Sequence, residues 1–318
     1  MDEKKRRWAE YKSWKKGYYH LCTDGWKAGR LFHTDAQFAA GMTTVGLMTL
    51  LHPVKIYTFE LMPNHLHVVL SGSGADCLKA FCFLKRRINA RLVRDGFPPL
   101  PETYDFKLIP IEDEQQLKNN ILYVARNSYE KQYASPGGYP WGSSYLYHSV
   151  IACFWTGTRI GDMSRREVKR LTGSEVRVPE DWLYLPGLGI LPVSFIVLEK
   201  FYKLFPTPKD YMTALVKDYE SFSRIAAQLD ENLSFGPKEA EDMTRRLLDE
   251  EFDGKRLRDM LPEEKYRLAR RLREKYALSP EMIGHTVFLP DHIVRQILHS
   301  KEYAARETSF RTGLRPNP

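Results

Sequence analysis

The sequence is sparing in features that would disclose its chemistry. It holds four cysteines, Cys22, Cys77, Cys82 and Cys153, in 318 residues. No two form a C-x-x-C pair, and their density is far below that of a disulfide scaffold, so a thiolate metal centre and a stapled secreted fold are both excluded. The four read as small apolar residues. No G-x-x-x-x-G-K-[ST] phosphate loop and no G-x-S-x-G nucleophile elbow occurs. Long hydrophobic runs are missing as well. The stretches "VGLMTLL" and "LPVSFIVL" fall short of the roughly 20 residues that a membrane helix requires. The charged start "MDEKKRRWAEYKSWKK" leads into no apolar signal core. A soluble, cytoplasmic protein with no membrane partner is therefore expected.

Acid is also in deficit: 40 Asp and Glu stand against 48 Lys and Arg, a formal net charge of +8. That balance favours an anionic partner, nucleic acid first, although ribosomal or lipid association would give the same signal. Hydrophobic residues make up 43% of the chain, ample for a packed core, and the length predicts two or three domains.

One short stretch, "LMPNHLHVVLSG" (Leu61 to Gly72), carries chemistry in its spacing. On a strand, side chains alternate faces, so His65 and His67 share one side while Leu66, Val68 and Leu70 share the other. The two imidazoles can reach one cation together. They can equally be polar residues on the open face of an antiparallel sheet. The pattern does not continue to a third histidine, since position 69 is Val69.

The surrounding elements alternate in type. "YYHLCT" reads as a strand, and "DAQFAAGMTTVGLMTLL" after Thr34 reads as a helix with an N-cap. "VKIYTFEL" and "HLHVVL" follow as a hairpin across Met62, Pro63 and Asn64. Asp76 caps a second helix to about Arg94, "FKLIPI" supplies a fourth strand, and a third helix begins in the acidic turn Glu112, Asp113, Glu114. The order βαββαβ plus a terminal helix predicts an α+β fold. It is the split, ferredoxin-like antiparallel sheet with helices packed on one face and the histidines on the other, open one.

The second helix gathers Leu78, Phe81, Leu84, Ile88 and Leu92 on one side and Lys79, Arg86, Arg87 and Arg94 on the other. That basic side is either a solvated face or, with Phe83, a surface for phosphates and bases. The third helix sets Leu117, Ile121, Val124 and Ala125 against a polar stripe of Gln116, Asn119, Asn120, Tyr123, Arg126, Asn127 and Glu130. Tyr123 lies in the middle of that stripe, one turn before Asn127, whereas Tyr129 is the better core candidate.

Three stretches together, "MPNHLHVVL", "YVARN" (Tyr123 to Asn127) and "YPWGSSY" (Tyr139 to Tyr145), resemble the REP-associated tyrosine transposases, a branch of the HUH single-strand DNA transposases. The order and spacing of the stretches also match, over roughly residues 15 to 148. The resemblance implies the same split fold. It also implies breaking and rejoining of single-stranded DNA beside hairpins through a 5′-phosphotyrosine link, with His65 and His67 as metal ligands, Tyr123 as nucleophile and Asn127 as a candidate third ligand. Ala125 and Ser128 depart from the family, standing where relatives often have histidine and proline.

Beyond about Val150 the resemblance fades. Residues 151–254 read as a mixed and helical region of no assigned role. The segment Glu263 to Leu298 has the rhythm of a helix-turn-helix: a long helix, a short one from Ser279-Pro280, and another after Pro290. In that reading Asp291, His292 and Arg295 stand near the exposed start of the recognition helix. An ordinary helical bundle has the same spacing.

The sequence thus predicts three regions, 1–150, 151–254 and 255–318, and a metal-dependent single-strand DNA transposase or nuclease. Tyr123 is its nucleophile and His65, His67 and Asn127 its metal ligands, with Mg²⁺ or Mn²⁺ as cofactor. Lys79, Arg86, Arg87, Arg94 and Arg295 are the DNA-binding candidates. The expected partner is single-stranded or hairpin DNA, with a homodimer left open. The rival is a non-catalytic DNA-binding regulator that retains the transposase fold.

Overall fold

The computed structural model describes residues 3–23, 29–130, 138–148, 152, 154–229, 231, 235–276 and 278–299. Cys153 and Tyr133, and the side chains of Tyr129 and Glu130, lie outside the described residues. The chain divides into two compact units, with the boundary after Asp218.

In the first unit the elements run α1 (Glu3–Ser13), β1 (Gly17–Thr23), α2 (Asp35–Leu51), β2 (Lys55–Leu61), β3 (Leu66–Gly72), α3 (Gly74–Arg94), β4 (Phe106–Ile111) and α4 (Glu114–Glu130). The four strands pair antiparallel in the order β2-β3-β1-β4. This is the α+β split βαββαβ sheet that the sequence predicts. Local chemistry sets the helix starts. The Thr34 hydroxyl accepts from the Gln37 amide at 3.3 Å, Ser73 accepts from the Asp76 amide at 3.1 Å, and Asp113 accepts from the Gln116 amide at 2.7 Å. The cap of α3 is thus Ser73 and not Asp76, whose carboxylate instead accepts from the Ser73 hydroxyl at 2.6 Å.

Register decides what each face of the sheet carries. Val68 stands opposite Leu21 and Phe59, and Leu70 opposite Tyr19 and Ile56. The two crossover helices cover this apolar face: Phe81 of α3 stacks on Phe106 of β4 at 4.2 Å, and Gly41 of α2 lies so close to Leu61 that a Cβ would come within 2.8 Å of it. On the other face His67 stands opposite Cys22 and Glu60, and His20 opposite Val69 and Ile109. The sequence leaves this second face open. In the structure α4 lies across it, because the polar stripe of α4 has matching polar partners on the strands.

The chain then continues through β5 (Thr158–Arg159), α5 (Arg165–Thr172), β6 (Leu183–Leu185), β7 (Gly189–Ile190), α6 (Leu198–Leu204) and α7 (Pro208–Lys217). The strands form a small sheet β5-β6-β7. Its cluster of Ile160, Val178, Trp182 and Ile190 packs on Leu47 of α2. Helix α2 is buried nearly all round, from Gln37 to Met48, and a helix apolar on every side needs cover on every side. Residues 152–218 therefore fold onto the preceding ones, and no division falls at 150.

The second unit comprises α8 (Tyr219–Leu229), α9 (Pro237–Glu251), α10 (Pro262–Tyr276), α11 (Pro280–Val287) and α12 (Asp291–His299). Met243 and Leu247 of α9 share one core with Leu268 and Leu272 of α10, Ile283 of α11 and Val294 of α12. That shared core is why the boundary expected at 254 falls instead after Asp218. The helix–turn–helix rhythm is present: Ser279 caps α11, and Phe288, in the left-handed region at φ 57°, turns the chain toward α12. Among the described residues no helix is long and apolar enough to cross a membrane.

Candidate active site

His65 and His67 are not on a solvent face. They are only 4% and 0% exposed, which excludes the bland reading of polar residues pointing into water. Buried imidazoles need partners, and both have them. The rings meet edge to face with centroids 5.0 Å apart, and one ligating nitrogen of each lies within 4.8 Å of the other. The tight turn before β3 aims the first of them, since the Asn64 side-chain oxygen stands 2.8 Å from Nδ1 of His65.

Helix α4 supplies the other half. Tyr123 is buried and sets its ring against His67 at 5.8 Å and against His20 at 5.9 Å. One turn on, the Asn127 amide reaches Nε2 of His67 at 3.1 Å. The residues Tyr123, Asn127, His65 and His67, separated by some sixty positions in the chain, thus converge on one patch of the sheet. The spacing of four residues keeps Tyr123 and Asn127 on the same side of the helix.

The donor set fits a divalent cation. Two imidazoles and an amide are borderline-to-hard ligands. The 3.1 Å between His67 Nε2 and the Asn127 amide is close to the roughly 3 Å between adjacent ligands of an octahedral ion with bonds of about 2.1 Å. Asn127 turned over would offer its oxygen at the same place.

Two buried polar residues, His20 and Glu60, are not singled out by the sequence. His20, on β1, bonds His67 Nδ1 through its Nε2 at 3.1 Å, and its Nδ1 faces the Asn120 side-chain oxygen at 2.7 Å. Glu60, fully buried opposite His67, accepts from the Ser144 hydroxyl at 3.5 Å. The only signal was alternation in "YYHLCT" and "VKIYTFEL", and without the register nothing tied either strand to the histidines. Burial pushes Tyr147 and Tyr211 above the usual phenol range, and the Glu60 charge acts in the same direction.

The third motif closes the sheet edge. Trp141 accepts from the Leu61 amide at 2.8 Å, and Ser143 donates from its amide to Phe59 at 3.0 Å. Tyr139 donates to the Leu61 carbonyl at 2.7 Å, and Tyr147 to that of Tyr57 at 2.7 Å. This segment satisfies groups that β2, as an outer strand, would otherwise leave bare.

The basic residues divide. Lys79, Arg86 and Arg94 are exposed along α3. Arg87 makes contacts within the unit: its guanidinium donates to the carbonyls of Gly173, at 2.8 Å, and Thr172 at the end of α5. A planar fork of donors suits the orphan carbonyls of a helix C-terminus. Phe83, likewise, packs on the Trp182 cluster rather than offering a face to bases. Arg295 is half-exposed beside Asp291 and His292, and pairs with Glu281. Cys22 and Cys77 are buried, and burial pushes the Cys77 thiol to about 12.

No family model matches the chain, and no curated protein matches it. Among solved structures the chain is similar to a REP-associated tyrosine transposase bound to a REP hairpin, at 13% identity over 42% of this chain and 81% of that one, with a TM-score of 0.35.

Proposed function

We propose that the protein is a metal-dependent single-strand DNA transposase or nuclease that cleaves and rejoins hairpin-bearing DNA through a 5′-phosphotyrosine intermediate. The observation that carries this reading is the convergence of Tyr123 and Asn127 on His67, with Asn127 at 3.1 Å and the tyrosine ring at 5.8 Å. The three sequence motifs support it, since each lands on or beside that patch. His65, His67 and Asn127 would hold a Mg²⁺ or Mn²⁺ ion. Bound there, the ion would neutralise charge on the scissile phosphate.

In the cleavage step the Tyr123 phenolic oxygen bonds to phosphorus as the bond to the 3′-oxygen breaks. The phenol proton passes to solvent and the departing oxygen takes one up. The DNA 5′ end is left on Tyr123, and a free 3′-hydroxyl can reverse the step without ATP, in keeping with the missing phosphate loop. Lys79, Arg86 and Arg94 along α3, and Arg295 at the start of α12, are the cations offered to the backbone of single-stranded or hairpin DNA.

The burial of Tyr123 and His67, 2% and 0% exposed, favours a second reading: a DNA-binding regulator in which the cluster serves as polar core. Incubation of the protein with a library of hairpin-bearing single strands and Mg²⁺ or Mn²⁺, followed by sequencing of the cleavage ends, separates the two. Defined ends that require the metal support the transposase. Binding without new ends supports the regulator.

A further inference from the structure

We infer that His20 and Asn120 are positioning residues for the candidate metal centre, fixing His67 in the tautomer whose Nε2 carries no proton and so can act as a ligand. The inference rests on the reading of His67 as a ligand. The Asn120 side-chain nitrogen donates to the Gln116 carbonyl at 2.8 Å, so this amide cannot be turned over without setting oxygen against oxygen. Its oxygen must then be the atom that faces Nδ1 of His20 at 2.7 Å. An amide oxygen only accepts, so the His20 proton lies on Nδ1.

A neutral imidazole protonated at Nδ1 accepts at Nε2. The atom facing it at 3.1 Å is Nδ1 of His67, which must therefore be the donor. The proton of His67 is thereby held on Nδ1, and Nε2, the nitrogen beside Asn127, keeps its lone pair. His65 receives the same treatment by a shorter route, because Asn64 faces its Nδ1 directly at 2.8 Å. Each candidate ligand thus has its Nδ1 tied, directly or through one ring, to an asparagine oxygen.

Outer partners of this kind commonly change metal affinity by about 10–100-fold when removed. The relay spans β1, β3 and α4, so it also couples the seating of the tyrosine helix to the state of His67.

The test uses full-length protein labelled with ¹⁵N-histidine, read by long-range ¹⁵N–¹H NMR without metal and by titration with Mn²⁺. The expected result is an Nδ1–H signature for His67 in the wild type. In His20→Phe, which keeps a ring but no nitrogen, an Nε2–H population should appear and the Mn²⁺ Kd should rise by about 10–100-fold. Asn120→Leu reads the same relay should His20→Phe not fold. In the doubly substituted protein the Asn120 change should add nothing, because it acts through His20.

An Nε2–H signature in the wild type, or Mn²⁺ affinity unchanged in both single variants, overturns the inference. If that Mn²⁺ binding is nonetheless lost in His65→Ala/His67→Ala, the metal reading survives and only the relay fails. If the wild type binds no Mn²⁺, the metal reading fails and the relay's purpose with it.

Discussion

Asn127 places its amide 3.1 Å from Nε2 of His67, a contact between a helix and a strand that neither pattern predicts by itself and that the motif resemblance implies. It makes the histidine pair and the tyrosine helix one site, and it yields a direct expectation for metal binding. Replacing His65 and His67 by alanine should remove Mn²⁺ binding and strand cleavage while hairpin binding persists in a gel shift. Asn127→Ala should weaken the metal less than loss of both imidazoles. Undiminished cleavage in the double-alanine variant would place the chemistry elsewhere.

Exposed Lys79, Arg86 and Arg94 should act on DNA affinity, and Arg87 on stability. Substituting the first three together by alanine should flatten the dependence of log K on log salt by up to about 0.7 per lost phosphate contact on single strands. Arg87→Ala should instead lower the thermal midpoint, because it releases the carbonyls of Thr172 and Gly173 at the end of α5. A salt slope that responds to Arg87 alone would reverse this assignment.

Gly142 lies against β2 so closely that a Cβ would come within 2.8 Å of the Phe59 carbonyl oxygen. Gly142→Ala should force the capping segment away from the strand and cost about 1–3 kcal/mol, the usual range for overpacking. Denaturant unfolding measures it, and a variant as stable as wild type would show that the segment is not seated on β2.

Much of this architecture is legible in the sequence. The four strands and three of the four helices described up to Glu130 follow from alternation and periodicity, and the last three helices from Pro and Ser punctuation; α1, a charged segment with little apolar face, does not. The position of α4 is not legible, because a polar helix face ordinarily signals water. Here Asn120 and Asn127 meet His20 and His67 instead. Nor does the sequence show that residues 152–218 belong with the first unit, although the all-round apolar character of α2 is the trace of it. His20 has no motif of its own, and only strand register brings it beside His67.

In the helical unit, Glu251 accepts two hydrogen bonds from Arg271, at 2.7 and 2.8 Å. That pairing holds the carboxyl below its ordinary value. A carboxylate with a lowered folded pKa contributes stability that is full above the unfolded value, about 4.3, and is lost as pH falls through the folded one. Both side chains are 30% exposed, so solvent screening limits the pair to about 1 kcal/mol or less. Arg271→Ala should therefore lower the thermal midpoint at pH 7 and have little effect near pH 3. An equal loss at both values would mean that packing, not charge, accounts for it.

The most direct test of the central claim compares wild type with Tyr123→Phe on 3′-labelled hairpin DNA. After incubation with Mn²⁺ the samples are resolved on a denaturing gel. The account predicts a protein-linked labelled band in the wild type and none in the variant. Phenylalanine keeps the ring that packs on His20 and His67, so circular dichroism and Mn²⁺ binding should be unchanged. A covalent band that survives in Tyr123→Phe would exclude Tyr123 as the nucleophile and turn attention to Tyr129 and Tyr133.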